Sequence, residues 1–217
     1  MGDVFKILVL TYKTSKNFNP ILMKKSNTFY HIILDQSGSM SDCVNQTLKG
    51  LADQRKEILA IANEFPGQEI RVGLTVFDHN IELKYSNLSV TELSRMNSFH
   101  YQPNGQTALL DAIGMSVTAT ERLMVNEGDS AVIIILTDGY ENASKEYSHK
   151  QIKELIKAKE ATGKWSFTYL GATLDAVEIA RSMNIKAENS FAFEKKNMDK
   201  DAFARSSMAL KNSMMKF

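Results

Sequence analysis

Five residues in three separate stretches carry oxygen at positions where it could serve chemistry. In IILDQSGSM (residues 32–40), Asp35, Ser37 and Ser39 alternate after an apolar run. Thr107 follows Gly105-Gln106 in GQTALLDAIG, and Asp138 follows the apolar run SAVIIIL (130–136) in TDG. The set holds two carboxylates and three hydroxyls, with no thiolate and no imidazole. Hard divalent cations select such donors, and Mg²⁺ prefers six oxygens at about 2.0–2.1 Å while keeping several waters. Alternate spacing in extended backbone aims residues 35, 37 and 39 to one side, and Gly38 permits a tight bend between the serines. Two acids among neutral hydroxyls leave a divalent ion underneutralised, so it would draw one more carboxylate from outside. Oxygen donors alone do not separate Mg²⁺ from Mn²⁺.

These residues need elements to hold them. Residues 28–34 (TFYHIIL), 69–77 (EIRVGLTVF), 130–136 and 165–170 (WSFTYL) are rich in β-branched and aromatic residues and read as strands. Residues 81–85 (IELKY) follow the turn-like Asp78-His79-Asn80 closely enough to predict an antiparallel hairpin, and Phe191 and Phe193 predict a short last strand. Helices are expected from a cap at Ser41 or Asp42 to about Phe65, from Ser89 to Met96, over 108–125, over 147–161, from a cap at Asp175 to Met183, and over 199–215. In the first of these, Val44, Leu48, Leu51, Ile58, Leu59 and Ile61 form the apolar stripe, and Pro66-Gly67 ends it. Residues 99–105 (FHYQPNG) read as loop. Strands alternating with helices predict an α/β three-layer sandwich, Rossmann-like, with a mainly parallel central sheet and one antiparallel edge strand. In open sheets of this kind, sites form outside the carboxyl ends of the strands, where all three stretches fall.

Asp35-x-Ser37-x-Ser39, then Thr107, then Asp138-Gly139, in that order within alternating β and α elements, resembles a von Willebrand factor type A domain. The five residues match that family's metal-ion-dependent adhesion site position by position. The resemblance covers roughly residues 28–195. It implies that Asp35, Ser37, Ser39, Thr107 and Asp138 hold Mg²⁺ or Mn²⁺, directly or through water, and that the open coordination position takes an Asp or Glu of a protein partner. GQTALLDAIG (105–114), TDGYENASKEY (137–147) and FTYLGATLDA (167–176) are similar to stretches of small stand-alone bacterial and phage members of the family.

Composition sets bounds around this. The chain has 217 residues, 43% of them hydrophobic, enough for a sizeable core, and a net charge of +1. That charge balance gives no reason to expect nucleic acid or an anionic membrane as partner, and no apolar run approaches the roughly 20 residues of a membrane helix. The single cysteine, Cys43, excludes an intrachain disulfide, fits a reducing cytoplasmic setting, and reads as a buried structural thiol. Residues 26–217 are expected to form one domain that includes the C-terminal helix. Residues 1–25 are read as an extension, either an added strand, a flexible arm, or residues ahead of a start at Met23.

The remaining polar residues have plainer readings. Thr107 can also cap the helix that opens at Ala108. Asp78 and Asp111 lie near the expected site, with capping or surface duty as the default. His31, His79, His100 and His149 are scattered and make no zinc pair. The lysines of 145–164 read as a solvated helix face. Phe203, Met208, Leu210, Met214 and Met215 near the C-terminus are expected to pack on the domain, with the methionines also suited to adaptable contacts. No general base is identifiable, so the expected function is a protein-binding module rather than an enzyme. The alternatives are a Mg²⁺-dependent phosphohydrolase, for which residue 37 is serine where a second aspartate is needed, and a scaffold whose metal site is not essential.

Overall fold

A computed structural model describes residues 26–97 and 100–216. The extension expected over residues 1–25, and Phe99 at the start of the expected loop, lie outside the described residues. Six strands form one sheet in the order β3-β2-β1-β4-β5-β6. They are β1 (Asn27–Asp35), β2 (Glu69–Phe77), β3 (Ile81–Ser89), β4 (Ser130–Thr137), β5 (Trp165–Gly171) and β6 (Ser190–Ala192). Only the β2–β3 pair is antiparallel, and it makes one edge of the sheet. Among the described residues, five α-helices accompany the sheet: α1 (Val44–Glu64), α2 (Leu109–Glu121), α3 (His149–Ala161), α4 (Ala176–Ser182) and α5 (Met198–Met214).

The central strands are buried along nearly their whole length because both faces are covered, and most of their residues are apolar. Side chains alternate along each strand, so β1 sends Tyr30, Ile32 and Leu34 into one core and Phe29 and Ile33 into the other. The first core is closed by α1 and α5, through Leu51, Ile58, Phe203 and Leu210. The second is closed by α2, α3 and α4, through Ile113, Val117, Ile152, Ile156 and Ala180. The result is the three-layer α/β sandwich expected from the strand–helix alternation. Among the described residues, no helix is long and apolar enough to cross a membrane.

Several boundaries differ from the sequence reading. Residues Gly38–Cys43 wind as a 3-10 turn, so α1 opens at Val44, and neither Ser41 nor Asp42 caps it. Leu48 and Leu59 of the expected stripe are exposed, while Thr47 and Gln54 are buried. β3 runs on to Ser89 rather than stopping at Tyr85, with register irregularities against β2 between Val72 and Thr75. The segment after Ser89 is 3-10 rather than α (Val90–Asn97). α3 opens two residues later than expected, with Ser148 and Gln151 forming a reciprocal capping box. In the C-terminal helix Phe203, Leu210 and Met214 are buried, as expected of packing residues, whereas Met208 and Met215 face solvent. Cys43 is fully buried, and burial pushes its thiol up to about 11, so it is inert. His31 is buried and neutral among hydroxyls, with Nε2 2.8 Å from Thr75 Oγ1 and Nδ1 3.0 Å from Thr120 Oγ1.

Candidate metal centre

The parallel strands β1 and β4 end side by side, Leu34 opposite Leu136. This register puts Asp35 and the Thr137-Asp138-Gly139 turn at the same edge of the sheet. Asp35 is fully buried. Its Oδ1 accepts the Ser37 N–H at 2.7 Å, and its Oδ2 accepts the Thr137 hydroxyl at 2.5 Å. The Tyr101 hydroxyl donates to the Asp35 carbonyl at 2.6 Å, which fixes the point where the strand stops. Burial pushes the Asp35 carboxyl up to about 6, against the hydrogen bonds from Thr137 and Ser37 and with the help of the nearby Asp138 charge. A buried acid in this state has charge that its surroundings do not neutralise.

The serines run outward from it. Ser37 Oγ lies 3.1 Å from Ser39 Oγ, and the Ser39 hydroxyl donates to Asp138 Oδ1 at 2.6 Å. Ser37 is buried and Ser39 exposed, so the row passes from the core to solvent within three residues. The loop ahead of α2 supplies Thr107. Gly105 takes φ +72°, a left-handed conformation that suits glycine, and its carbonyl accepts the Gly38 N–H at 3.1 Å. The first two segments are therefore stitched together, and Asn104 N–H to Gln36 O at 2.9 Å adds a second stitch. Thr107 in turn exchanges two bonds with Asn142, its N–H donating to Asn142 Oδ1 at 2.8 Å and its carbonyl accepting the Asn142 N–H at 3.0 Å.

Gly139 tests whether these residues suit a cation. A Cβ built there would fall 2.8 Å from Thr107 Oγ1 and 3.5 Å from Asp35 Oδ2. The hydroxyl and the carboxylate thus face one common position, which a side chain at 139 would invade. The donors around it are all oxygens, and this fits a hard divalent ion. Among the described residues, no three His, Cys, Asp or Glu side chains converge as a metal cluster. A site here depends on hydroxyls supplementing two acids. Asp35, Ser37, Ser39, Thr107 and Asp138 all come to this edge of the sheet.

The neighbouring residues named from sequence have other duties. Thr107 does not cap α2, which opens at Leu109 after an Ala108 cap that makes no side-chain bond. Asp111 is buried and accepts the N–H groups of Lys145, Glu146 and Tyr147 at 2.7–3.0 Å, holding the loop after β4 against α2. Asp78 Oδ1 accepts the Asn80 N–H at 2.6 Å in the hairpin turn, while its carbonyl receives the Ala108 N–H at 2.8 Å. Asp175 does not cap α4; it accepts the exposed Tyr140 hydroxyl at 3.0 Å.

One residue absent from the sequence reading stands in the site. Lys195 lies in the turn between β6 and α5, and its Nζ sits 2.5 Å from Asp138 Oδ2. The same ammonium donates to the Ser39 carbonyl at 2.8 Å and to Asp42 Oδ1 at 3.0 Å. Partial burial lowers its basicity, but the two carboxylates outweigh that and hold Lys195 above its usual value. Nothing in the local sequence KKN marks Lys195, since its three partners lie far away in the chain. Asn142 was missed for the same reason.

The family model for the von Willebrand factor type A domain matches residues 30–141, a stretch that contains all five candidate oxygen donors. No curated protein matches the chain in sequence. Among solved structures, proximal thread matrix protein 1 from the mussel byssus is 16% identical with a TM-score of 0.62, over 85% of this chain and 46% of that one. A second structure of that protein, with a zinc-occupied MIDAS motif, is 12% identical with a TM-score of 0.61, over 88% and 47% of the two chains. The vWF domain of the type V pili tip protein Mfa5 from Porphyromonas gingivalis is 10% identical with a TM-score of 0.59, over 88% and 96%. The chain thus spans about half the length of the mussel protein. Such low identities establish the fold alone. With the family model, the strand order and the single antiparallel edge in agreement, the chain belongs to the von Willebrand factor type A domain family.

Proposed function

We propose that the chain is a protein-binding module in which Asp35, Ser37, Ser39, Thr107 and Asp138 hold Mg²⁺ or Mn²⁺ at the edge of the sheet. The observation that carries this reading is the meeting of Asp35 Oδ2 and Thr107 Oγ1 at the face of Gly139, beside the row Ser37–Ser39–Asp138. A bound divalent ion would supply a Lewis-acid position able to take a carboxylate oxygen of a partner. The surroundings suit a protein partner. Tyr140, directly after the Asp138-Gly139 turn, and Leu174, in the loop after β5, are exposed large side chains near this edge. That the mussel byssus protein of the same fold has a zinc-occupied MIDAS motif supports placing a divalent ion at this edge. The segments at 40–43, 100–106 and 140–147 would set which partner is accepted.

Against a phosphohydrolase, both oxygens of Asp35 are engaged by Ser37 and Thr137, and the group is wholly buried, which suits a ligand better than a nucleophile. Lys195 does supply a lysine near the acids, but Ser37 stands where that chemistry needs a second titratable group. The buried, unpaired Cys43 accords with our placing the protein in the cytoplasm.

The test uses arrays of peptides that carry Asp or Glu beside otherwise identical peptides carrying Asn or Gln. Wild-type protein should be retained by acidic peptides in Mg²⁺ or Mn²⁺ and released by EDTA, and Asp138→Ala should not be retained. Retention that is equal in EDTA, or indifferent to Asp against Asn, refutes the reading.

A further inference from the structure

Lys195 reaches the candidate metal centre from the far end of the chain, beyond the stretch 30–141 that matches the family model. An ammonium has three donors and no acceptor. Here the ammonium donates to the Ser39 carbonyl and to Asp42 Oδ1, at 2.8 and 3.0 Å, and forms an ion pair with Asp138 Oδ2 at 2.5 Å. The Asp138 side chain is 0% exposed while that of Lys195 is 31% exposed, so the contact brings a cation down from the rim onto a buried carboxylate oxygen. Among the described residues Lys195 is the only side chain that ion-pairs with Asp138, and no hydrogen bond reaches the buried Oδ2, so the contact there is purely ionic.

Resting on the metal reading above, we propose that Lys195 is a tethered counter-cation of the centre, competing with the divalent ion for Asp138 and so setting its affinity. A divalent ion on Asp35 and Asp138 and an ammonium on Asp138 would share one buried carboxylate, and the two cations repel at close range in a medium less polar than water. Metal entry therefore displaces the Lys195 ammonium from Asp138 Oδ2. Asp42, at the exposed rim, is the acid that keeps the freed side chain near the site. The centre then has two cationic states, one filled by the chain itself and weakly selective, the other filled by metal and open to a carboxylate. Removing the lysine charge removes the competitor and should tighten metal binding.

Two measurements test this. In the first, Mn²⁺ binding is read from the free-ion electron paramagnetic resonance signal for wild type, Lys195→Met, Lys195→Arg and Asp138→Ala. Lys195→Met should bind Mn²⁺ about tenfold tighter or more, Lys195→Arg should bind like wild type, and Asp138→Ala should not bind. In the second, which needs no variant to fold, the wild-type protein is acetylated in EDTA and in saturating Mg²⁺, and modification at Lys195 is followed by mass spectrometry. Lys195 should be protected in EDTA and modified several-fold faster in Mg²⁺, with the exposed Lys56 and Lys196 unchanged between the two as internal references. If wild type binds Mn²⁺, Asp138→Ala does not, and Lys195→Met binds no tighter than wild type, the competition is refuted while the metal site stands. An unchanged rate at Lys195 despite bound Mg²⁺ refutes it equally. If wild type binds no Mn²⁺, or Asp138→Ala binds as well as wild type, the metal reading itself fails.

Discussion

Asp35→Asn should stabilise the protein when no metal is present, although it removes a residue placed at the centre of the site. Burial raises the Asp35 carboxyl from 3.8 to about 6. A shift of about two units opposes folding by roughly 3 kcal/mol at pH 7, because the folded chain must hold an ionised group it disfavours. Asparagine keeps the shape and drops the charge. It also loses one acceptor, since the amide can accept the Ser37 N–H but must donate toward Thr137, a cost of about 1 kcal/mol. Thr137 Oγ1 already lies 3.1 Å from the Gly139 N–H and can turn its lone pairs to the new amide. The expected net gain is about 2 kcal/mol, or about 4–8 °C in Tm for a domain of this size. The sign of its pH dependence follows from the raised carboxyl. Wild type carries the full penalty above pH 6 and is relieved of it as pH falls from 6 toward 3.8, so the gap between variant and wild type should close near pH 4. Thermal melts in EDTA from pH 4 to 8 measure this. In saturating metal the order should reverse, because at 100 times its Kd an ion adds about 2.7 kcal/mol to wild type alone. A variant less stable than wild type in EDTA at pH 7, or a gap independent of pH, would refute the reasoning.

Two other predictions address the core and the cradle. His31 is buried and burial lowers it from 6.5 to about 4, so it contributes stability above pH 6.5 that is lost as pH falls toward 4, about 3 kcal/mol in all; urea midpoints of wild type and His31→Gln should converge on acidification, and parallel curves would sink this. Gly139→Ala leaves every candidate oxygen in place but sets a methyl 2.8 Å from Thr107 Oγ1, so it should abolish the metal-induced rise in Tm while the melt in EDTA stays within a few degrees; a full metal shift in this variant would show that the ion does not lie where Thr107 and Asp35 face each other.

The sheet and its edge were legible because the deciding signals are local. Apolar runs such as SAVIIIL announce a strand covered on both faces, and a run that halts at Asp35 or Thr137-Asp138 announces where that strand meets solvent. Capping was less legible. Ser41, Asp42, Thr107 and Asp175 have the right chemistry for caps, but Ser41 lies inside the 3-10 turn and tertiary partners claim the other three, Lys195 for Asp42, Asn142 for Thr107 and Tyr140 for Asp175. The length of β3 depended on its irregular register with β2, which alternation in IELKY alone does not encode. Lys195 was illegible in principle, since a lysine in a run of charged residues acquires meaning only from what the folded chain sets opposite it.

The position of β1 has a consequence for how the protein is made. β1 lies between β2 and β4, and its two neighbours join it at very different distances along the chain. The β1–β2 pairing can form once residues 27–77 exist, but Asp35 meets Thr137 (102 residues apart) and Ser39 meets Asp138 (99 apart) only when β4 slots in beside β1. During synthesis the first acid and both serines must wait for the second acid to emerge. A divalent ion therefore has little to grip on a half-made chain, and loop-closure entropy makes the β1–β4 pairing a slow one. Ion binding would reward the β1–β4 pairing and nothing before it, so an ion bound there would also hold β4 in its place beside β1.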